Sequence, residues 1–178
     1  MGTLQRNIKR KTPEIVEYWR SRIDEMDLGV DWCDAHTRCW RCGYKSSLDR
    51  CHIIPRSLGG LDESSNLVLL CKACHREAPN CSDPSYMWDW IRRTSVSMYD
   101  TYWTLKMFQE FKDMYGRNPF ELPEFEDINI DLVNSELKKK MMKVIVHYGE
   151  RGFNNTTMVW VLKECEDELL TNINQTVV

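Results

Sequence analysis

The sequence contains no long apolar run. Stretches such as Leu67 to Leu70 and Val144 to Val146 fall far short of the roughly 20 residues that a membrane-spanning helix needs. Behind the basic residues Arg6, Lys9, Arg10 and Lys11 there is no apolar stretch either. No secretion signal is therefore expected, and the chain reads as intracellular and cytoplasmic, away from membranes. Nor is there a surplus of positive charge: the formal net charge is −3, so composition alone does not announce a nucleic-acid binder. Internal repeats and low-complexity stretches are absent as well. What remains, with 42% hydrophobic and 29% charged residues in 178, is the make-up of an ordinary soluble globular protein. It has room for one domain, or for a small domain with a substantial extension.

What the chain does have is cysteine, eight in all. In an intracellular protein such a number points to metal ligation before disulfides. Four of them form two pairs, Cys39-Trp40-Arg41-Cys42 and Cys71-Lys72-Ala73-Cys74, separated by 28 residues. Two residues between cysteines let one tight turn aim both sulfurs at a single ion, and two such turns complete a tetrahedron of thiolates around Zn2+. No position is left for water, so this zinc is expected to be structural. It would pin the chain before a first strand to the start of a helix. In a block with so little core of its own, the metal can supply much of the folding free energy. Cys33 and His36 stand just upstream as weak competitors, with a cap or packing role expected. Cys81 and Cys165 read as small hydrophobes, and His147 as a surface or hydrogen-bonded residue.

Charge is placed unevenly. Between Arg38 and Gly60 five bases (Arg38, Arg41, Lys45, Arg50, Arg56) face one acid (Asp49), a local balance of +4. From Pro119 to Leu137 there are six acids and no base. Phosphate contact is local, so the basic stretch can hold DNA although the whole chain is acidic. Periodicity predicts a helix from Pro13 to Asp27, capped by Thr12, with Ile15, Trp19, Ile23 and Met26 on one packing stripe. Short strands are expected at Leu48 to Ile54 and Leu67 to Leu70, joined by a polar loop, with a short helix from Lys72 to Ala78. After Tyr99 the chain reads as helical. Trp103, Met107, Phe111 and Met114 form a stripe, and helices follow at Ser135 to Tyr148 and Thr156 to Leu170 around a turn at Gly149 to Asn155. That last pair has the outline of a helix-turn-helix. However, Glu164, Glu166, Asp167 and Glu168 would repel phosphate, so packing or homodimer contact is the expected role.

Between the cysteine pairs runs Asp49-Arg50-Cys51-His52-Ile53-Ile54-Pro55-Arg56-Ser57-Leu58-Gly59-Gly60, followed by Asn66-Leu67-Val68-Leu69-Leu70 and then Cys71-Lys72-Ala73-Cys74-His75. This stretch, about Arg38 to Asn80, resembles the HNH endonuclease family. The shared features are a histidine before Ile-Ile-Pro, a Gly-Gly loop, an Asn-Leu, and a histidine directly after the second cysteine pair. The resemblance implies an α+β fold: a small ββα-metal core with a structural zinc knuckle, flanked by an N-terminal helix and a mainly helical C-terminal extension. With the helices read from periodicity on either side, the chain is expected to divide into 1–30, 31–95 and 96–178. It also implies an endonuclease hydrolysing DNA, expected to be double-stranded, in restriction, phage defence or mobile-element life. In that scheme His52 is the general base, Asn66 holds the loop and helps orient that base, and His75 binds a divalent catalytic ion, Mg2+, Mn2+ or Zn2+. Arg50 and Arg56 flank the base and are placed to grip phosphate.

One position departs from the family. Where an aspartate or histidine commonly precedes the base and binds the catalytic ion, this chain has Cys51. A thiolate suits Zn2+ better than Mg2+, and strand alternation points Cys51 and His52 to opposite faces. Cys51 therefore either ligates a softer ion, stands aside and leaves His75, water and phosphate to hold it, or cripples the nuclease; the second is the expectation. The rival to an active nuclease is a non-catalytic zinc module that binds nucleic acid or a protein partner.

Overall fold

The computed structural model describes residues 11–95, 98–148 and 154–176, the side chains of 145–148 and 176 excepted. The bases at Arg6, Lys9 and Arg10, most of the expected turn at Gly149 to Asn155, and the His147 side chain lie outside the described residues. The chain divides into two compact units, Met1–Tyr102 and Trp103–Val178.

The first unit is built on a two-stranded antiparallel hairpin, β1 (Leu48–His52) and β2 (Leu67–Cys71), in the register Leu48↔Cys71 to His52↔Leu67. Leu67, Val68, Leu69 and Leu70 are all fully buried. β2 is thus covered on both faces, which is why it reads as an unbroken apolar run rather than an alternating one. Helix α1 (Thr12–Arg20) lies against β2, and Trp19 Nε1 donates to Leu67 O at 2.9 Å. Helix α2 (Lys72–Glu77) follows β2 without a loop, and α3 (Ser85–Thr94) is joined to α1 by an edge-to-face contact of Trp88 with Trp19 at 4.7 Å. With a hairpin, a helix after it and flanking helices, the molecule is α+β.

Several element ends differ from the sequence expectation, each for a local reason. α1 stops at Arg20, because Asp24 accepts a bond from Met26 N and starts a separate 3-10 turn at Glu25–Asp27. Met26 consequently points to solvent, 86% exposed, and is no part of the apolar stripe. Lys11, not Thr12, precedes the helix, with no side-chain cap. β1 ends at His52 because Asn66 takes over from the ladder: Ile53 N bonds Asn66 O at 2.9 Å and Ile54 N bonds Asn66 Oδ1 at 2.8 Å. α3 was not expected. Its apolar stripe is only Met87 and Ile91, too short to register as periodicity.

The second unit consists of α4 (Tyr102–Tyr115, all but its first residue), α5 (Ile130–Tyr148) and α6 (Asn155–Thr176). Asn129 accepts from Asp131 N and Asn154 from Thr157 N, so asparagine caps set both later starts. α5 and α6 pack on each other, around Phe125, Val133, Cys165 and Leu169 on one side and Phe111, Val159 and Leu162 on another. Met114, expected on the α4 stripe, is 55% exposed. Among the described residues no helix is long and apolar enough to cross a membrane.

Candidate metal and catalytic site

Two turns bring the four cysteines together. Cys39 and Cys42 flank a turn closed by Gly43 N donating to Cys39 O at 2.9 Å, with Gly43 at φ 70°. That left-handed conformation is one a side chain resists. Cys71 ends β2 and caps α2, its sulfur accepting from Cys74 N at 3.4 Å. All four sulfurs are buried and lie within 4.8 Å of one another. Cys42 Sγ and Cys71 Sγ are 3.8 Å apart, and about 3.8 Å is the edge of a tetrahedron of thiolates with bonds of about 2.3 Å. The donor set and its spacing fit zinc, and these residues could hold one. Cys71 is pushed down by hydrogen bonds from Cys39, Cys42 and Cys74, while Cys74 is pushed up by its hydrogen bonds to Cys39, Cys42 and Cys71.

Arg41 corrects an expectation. It was expected on a DNA-binding face, but it is 3% exposed and serves the cysteine cluster instead. Its Nη1 meets Glu77 Oε2 at 2.7 Å and Cys74 Sγ at 3.7 Å, and its guanidinium lies 3.9 Å from the Trp90 ring centroid and 4.9 Å from that of Tyr102. Burial opposes its charge, yet the Glu77 carboxylate, Tyr102 and Cys74 raise its pKa above the ordinary value. A zinc with four thiolates carries a net charge of about −2, and a buried guanidinium against one sulfur offsets part of it.

Two other bases of the stretch are also engaged. Arg38 donates to Gly43 O at 2.7 Å and to Asp100 at 3.2 Å, over the Tyr99 ring. Arg56 pairs with Asp62. Lys45 is exposed and Arg50 half-buried on the same stretch.

His52 closes β1, its side chain 15% exposed, and its Nε2 lies 2.7 Å from Asp62 Oδ1. The Asp62 carboxyl is held below the usual range, first by Arg56 and then by His52. A carboxylate faces only a nitrogen that carries hydrogen, so Nδ1 is left as the ring's acceptor. Asn66 pins the loop between the strands: besides the two bonds to Ile53 and Ile54, its Nδ2 donates to Ile54 O at 2.9 Å and Leu61 O at 3.0 Å. Gly60 has to be glycine there. A Cβ would fall 1.7 Å from Ile54 O and 2.7 Å from Asn66 Nδ2.

His75, on α2 directly after Cys74, is 42% exposed, with Nδ1 3.1 Å from Asp49 Oδ2. The two histidines are thus held by different carboxylates. Asp49 and His52 are three residues apart, about 10 Å along a strand and on opposite faces of a regular one. A cavity of about 640 Å³ is lined by Trp19, Ile54, Leu61, Asn66 and Trp88, but by neither histidine. Cys51 is 3% exposed, and burial followed by the charge of Asp49 pushes its thiol up to about 12.

Asp62 and Asp49 were missed in the sequence. Asp62 gave no signal, being one acid of a polar loop. Asp49 had one: it stands two residues before Cys51, hence on the same strand face. Cys33 is exposed beside Asp31 and Asp34, Cys165 is buried in the helical core, and Cys81 is half-buried with its sulfur against Asp83 O.

No curated protein matches the chain, and no solved structure does. Residues 37–80 match the family model described as HNH endonuclease. That segment runs from the first cysteine turn through the hairpin, α2 and His75. The likeness of the chain to the HNH endonuclease family thus lies at residues 37–80, where the cysteine cluster and both histidines stand.

Proposed function

We propose that this domain hydrolyses phosphodiester bonds in double-stranded DNA, with His52 as general base and His75 as a ligand of a divalent ion, Mg2+, Mn2+ or Zn2+. The observation that carries the reading is the His52–Asp62 pair beside a loop pinned by Asn66. This is an oriented base where the family places one.

Asp62 fixes the ring of His52 through Nε2 and leaves Nδ1 to take a proton from water, a task for which histidine is well suited near neutral pH. Asn66 acts at one remove. By satisfying the backbone of Ile53 and Ile54 it fixes where β1 ends and so where His52 points. A divalent ion, when bound, supplies positive charge for the phosphate oxygens and the leaving oxygen. Lys45 and Arg50 offer cations to flanking phosphates.

The alternative is a non-catalytic zinc module that binds nucleic acid or a protein. It is favoured by one observation: the two imidazoles have separate carboxylate partners, and neither lines the cavity beside Asn66. Plasmid incubated with the purified protein and Mg2+, Mn2+ or Zn2+ separates the two. Conversion of supercoiled plasmid to nicked or linear forms is expected. His52→Ala is expected to lower the rate by about 10²–10⁴-fold, the usual contribution of a general base, with zinc content unchanged. Plasmid retained but uncut with every ion would leave only the binding module.

A further inference from the structure

The family's usual ion-binding position is occupied by a cysteine, and the structure takes that cysteine out of play. Cys51 is 3% exposed, and its sulfur lies 3.6 Å from His52 O. On the same strand face, two residues back, stands a carboxylate that is exposed. Asp49 Oδ2 lies 3.1 Å from His75 Nδ1, with the two side chains 38% and 42% exposed.

We propose that Asp49 and His75 together bind the catalytic divalent ion, Asp49 supplying the charged oxygen that position 51 lacks. The proposal rests on the hydrolytic reading of the site only for the use made of that ion.

Three observations support it. The first is spacing: two neighbouring donors on one octahedral ion with bonds of about 2.1 Å lie about 3 Å apart. The Asp49–His75 separation matches this, as the Cys42–Cys71 separation matches the edge of a zinc tetrahedron. The second is rigidity. Asp49 is paired across the hairpin with Leu70, one residue before Cys71, and His75 directly follows Cys74. Both donors are therefore mounted next to the cysteine cluster, on backbone that the zinc would fix. The third is access. Two donors, half open to solvent, leave most of the coordination sphere to water and phosphate oxygen. Mg2+ and Mn2+ favour such an arrangement, since small hard ions keep several waters and take few protein ligands. On binding, the hydrogen between Nδ1 and Oδ2 passes to Nε2, the other tautomer of a neutral imidazole, so no net proton is lost.

The test measures Mn2+ binding to the full chain without DNA, by calorimetry and by loss of the free Mn2+ resonance, in protein carrying one zinc per chain. One Mn2+ site is expected. Asp49→Ala, Asp49→Asn and His75→Ala are each expected to weaken it by about 10-fold or more, with zinc content retained. The Asp49→Asn arm is decisive because the amide still accepts a hydrogen bond from His75. If that variant keeps wild-type affinity, Asp49 only orients the ring and the proposal falls. Loss of the site in Cys51→Ala with zinc retained would also overturn it, as would the absence of any Mn2+ site in the wild type. Should Asp49→Ala lose zinc, the asparagine variant carries the test alone. A wild type that binds Mn2+ through Asp49 yet leaves DNA uncut refutes the hydrolytic reading and not this one.

Discussion

Asp62 bridges two side chains that the sequence presents as unrelated, the imidazole of His52 and the guanidinium of Arg56. Its pKa is depressed, so the sign is that of a paired carboxylate: the contact persists above the ordinary aspartate range and is lost as pH falls through the lowered value. Asp62→Asn removes the charge that keeps hydrogen on Nε2 and lets the ring turn or change tautomer. Cleavage is expected to slow by less than the about 10²–10⁴-fold that deletion of a general base costs. The effect should fall on kcat with KM little changed, and the acid limb of the pH–rate profile should move. A profile identical to wild type would show that Asp62 merely closes the loop. Arg56, held by that same carboxylate, has less freedom to reach phosphate than its place in the basic stretch suggests. Arg41 has none. Neither fact was legible in the sequence, because a charged residue's partner is set by tertiary contact.

At the scale of elements, legibility followed the local signals. The two cysteine pairs, the hairpin and α2 were readable, since metal spacing and β-strand runs are written in neighbouring residues. The end of α1 was not, because a single side-chain bond from Asp24 outweighed a continuing apolar period. α3 was hidden by having only two buried positions. What holds the legible part together is the cysteine cluster: it joins the turn before β1 to the junction of β2 and α2, with Trp40 N bonded to Leu69 O at 3.0 Å. Structural zinc contributes about 10–16 kcal/mol of apparent binding free energy in zinc-finger peptides, as much as a typical domain's whole stability of about 5–15 kcal/mol. Cys39→Ser, or a strong chelator, is accordingly expected to release the metal and unfold the β1–β2–α2 block. Zinc release and loss of the dispersed amide signals of Leu67 to Leu70 should coincide. A zinc-free protein that kept those signals would refute the structural site.

At the scale of the molecule, the second unit carries a buried ion pair. Glu166 on α6 is fully buried, and its two oxygens meet the two terminal nitrogens of Arg117 at 2.7 Å each, while Phe120 N donates to the same carboxylate. The buried charge is thus fully partnered, and the pair ties the loop after α4 to α6. Packing, one of the two roles expected for this helix, accounts for these acids: Glu166 faces inward, and Glu168 pairs with Lys139 and Lys140 of α5. Removing one member of a buried pair strands the other and costs about 3–5 kcal/mol, whereas replacing both with apolar residues of similar volume is close to neutral. Arg117→Ala is expected near the low end of that range, because its own side chain is 22% exposed. The double variant Arg117→Met with Glu166→Leu is expected to recover most of the loss. Urea unfolding of the three proteins, followed by helical circular dichroism, measures both steps. Equal losses in the single and double variants would mean that the contacts of Phe120 and its neighbours, and not the stranded carboxylate, set the stability of this unit. Zinc content serves as the control, since every cysteine of the cluster lies in the first unit.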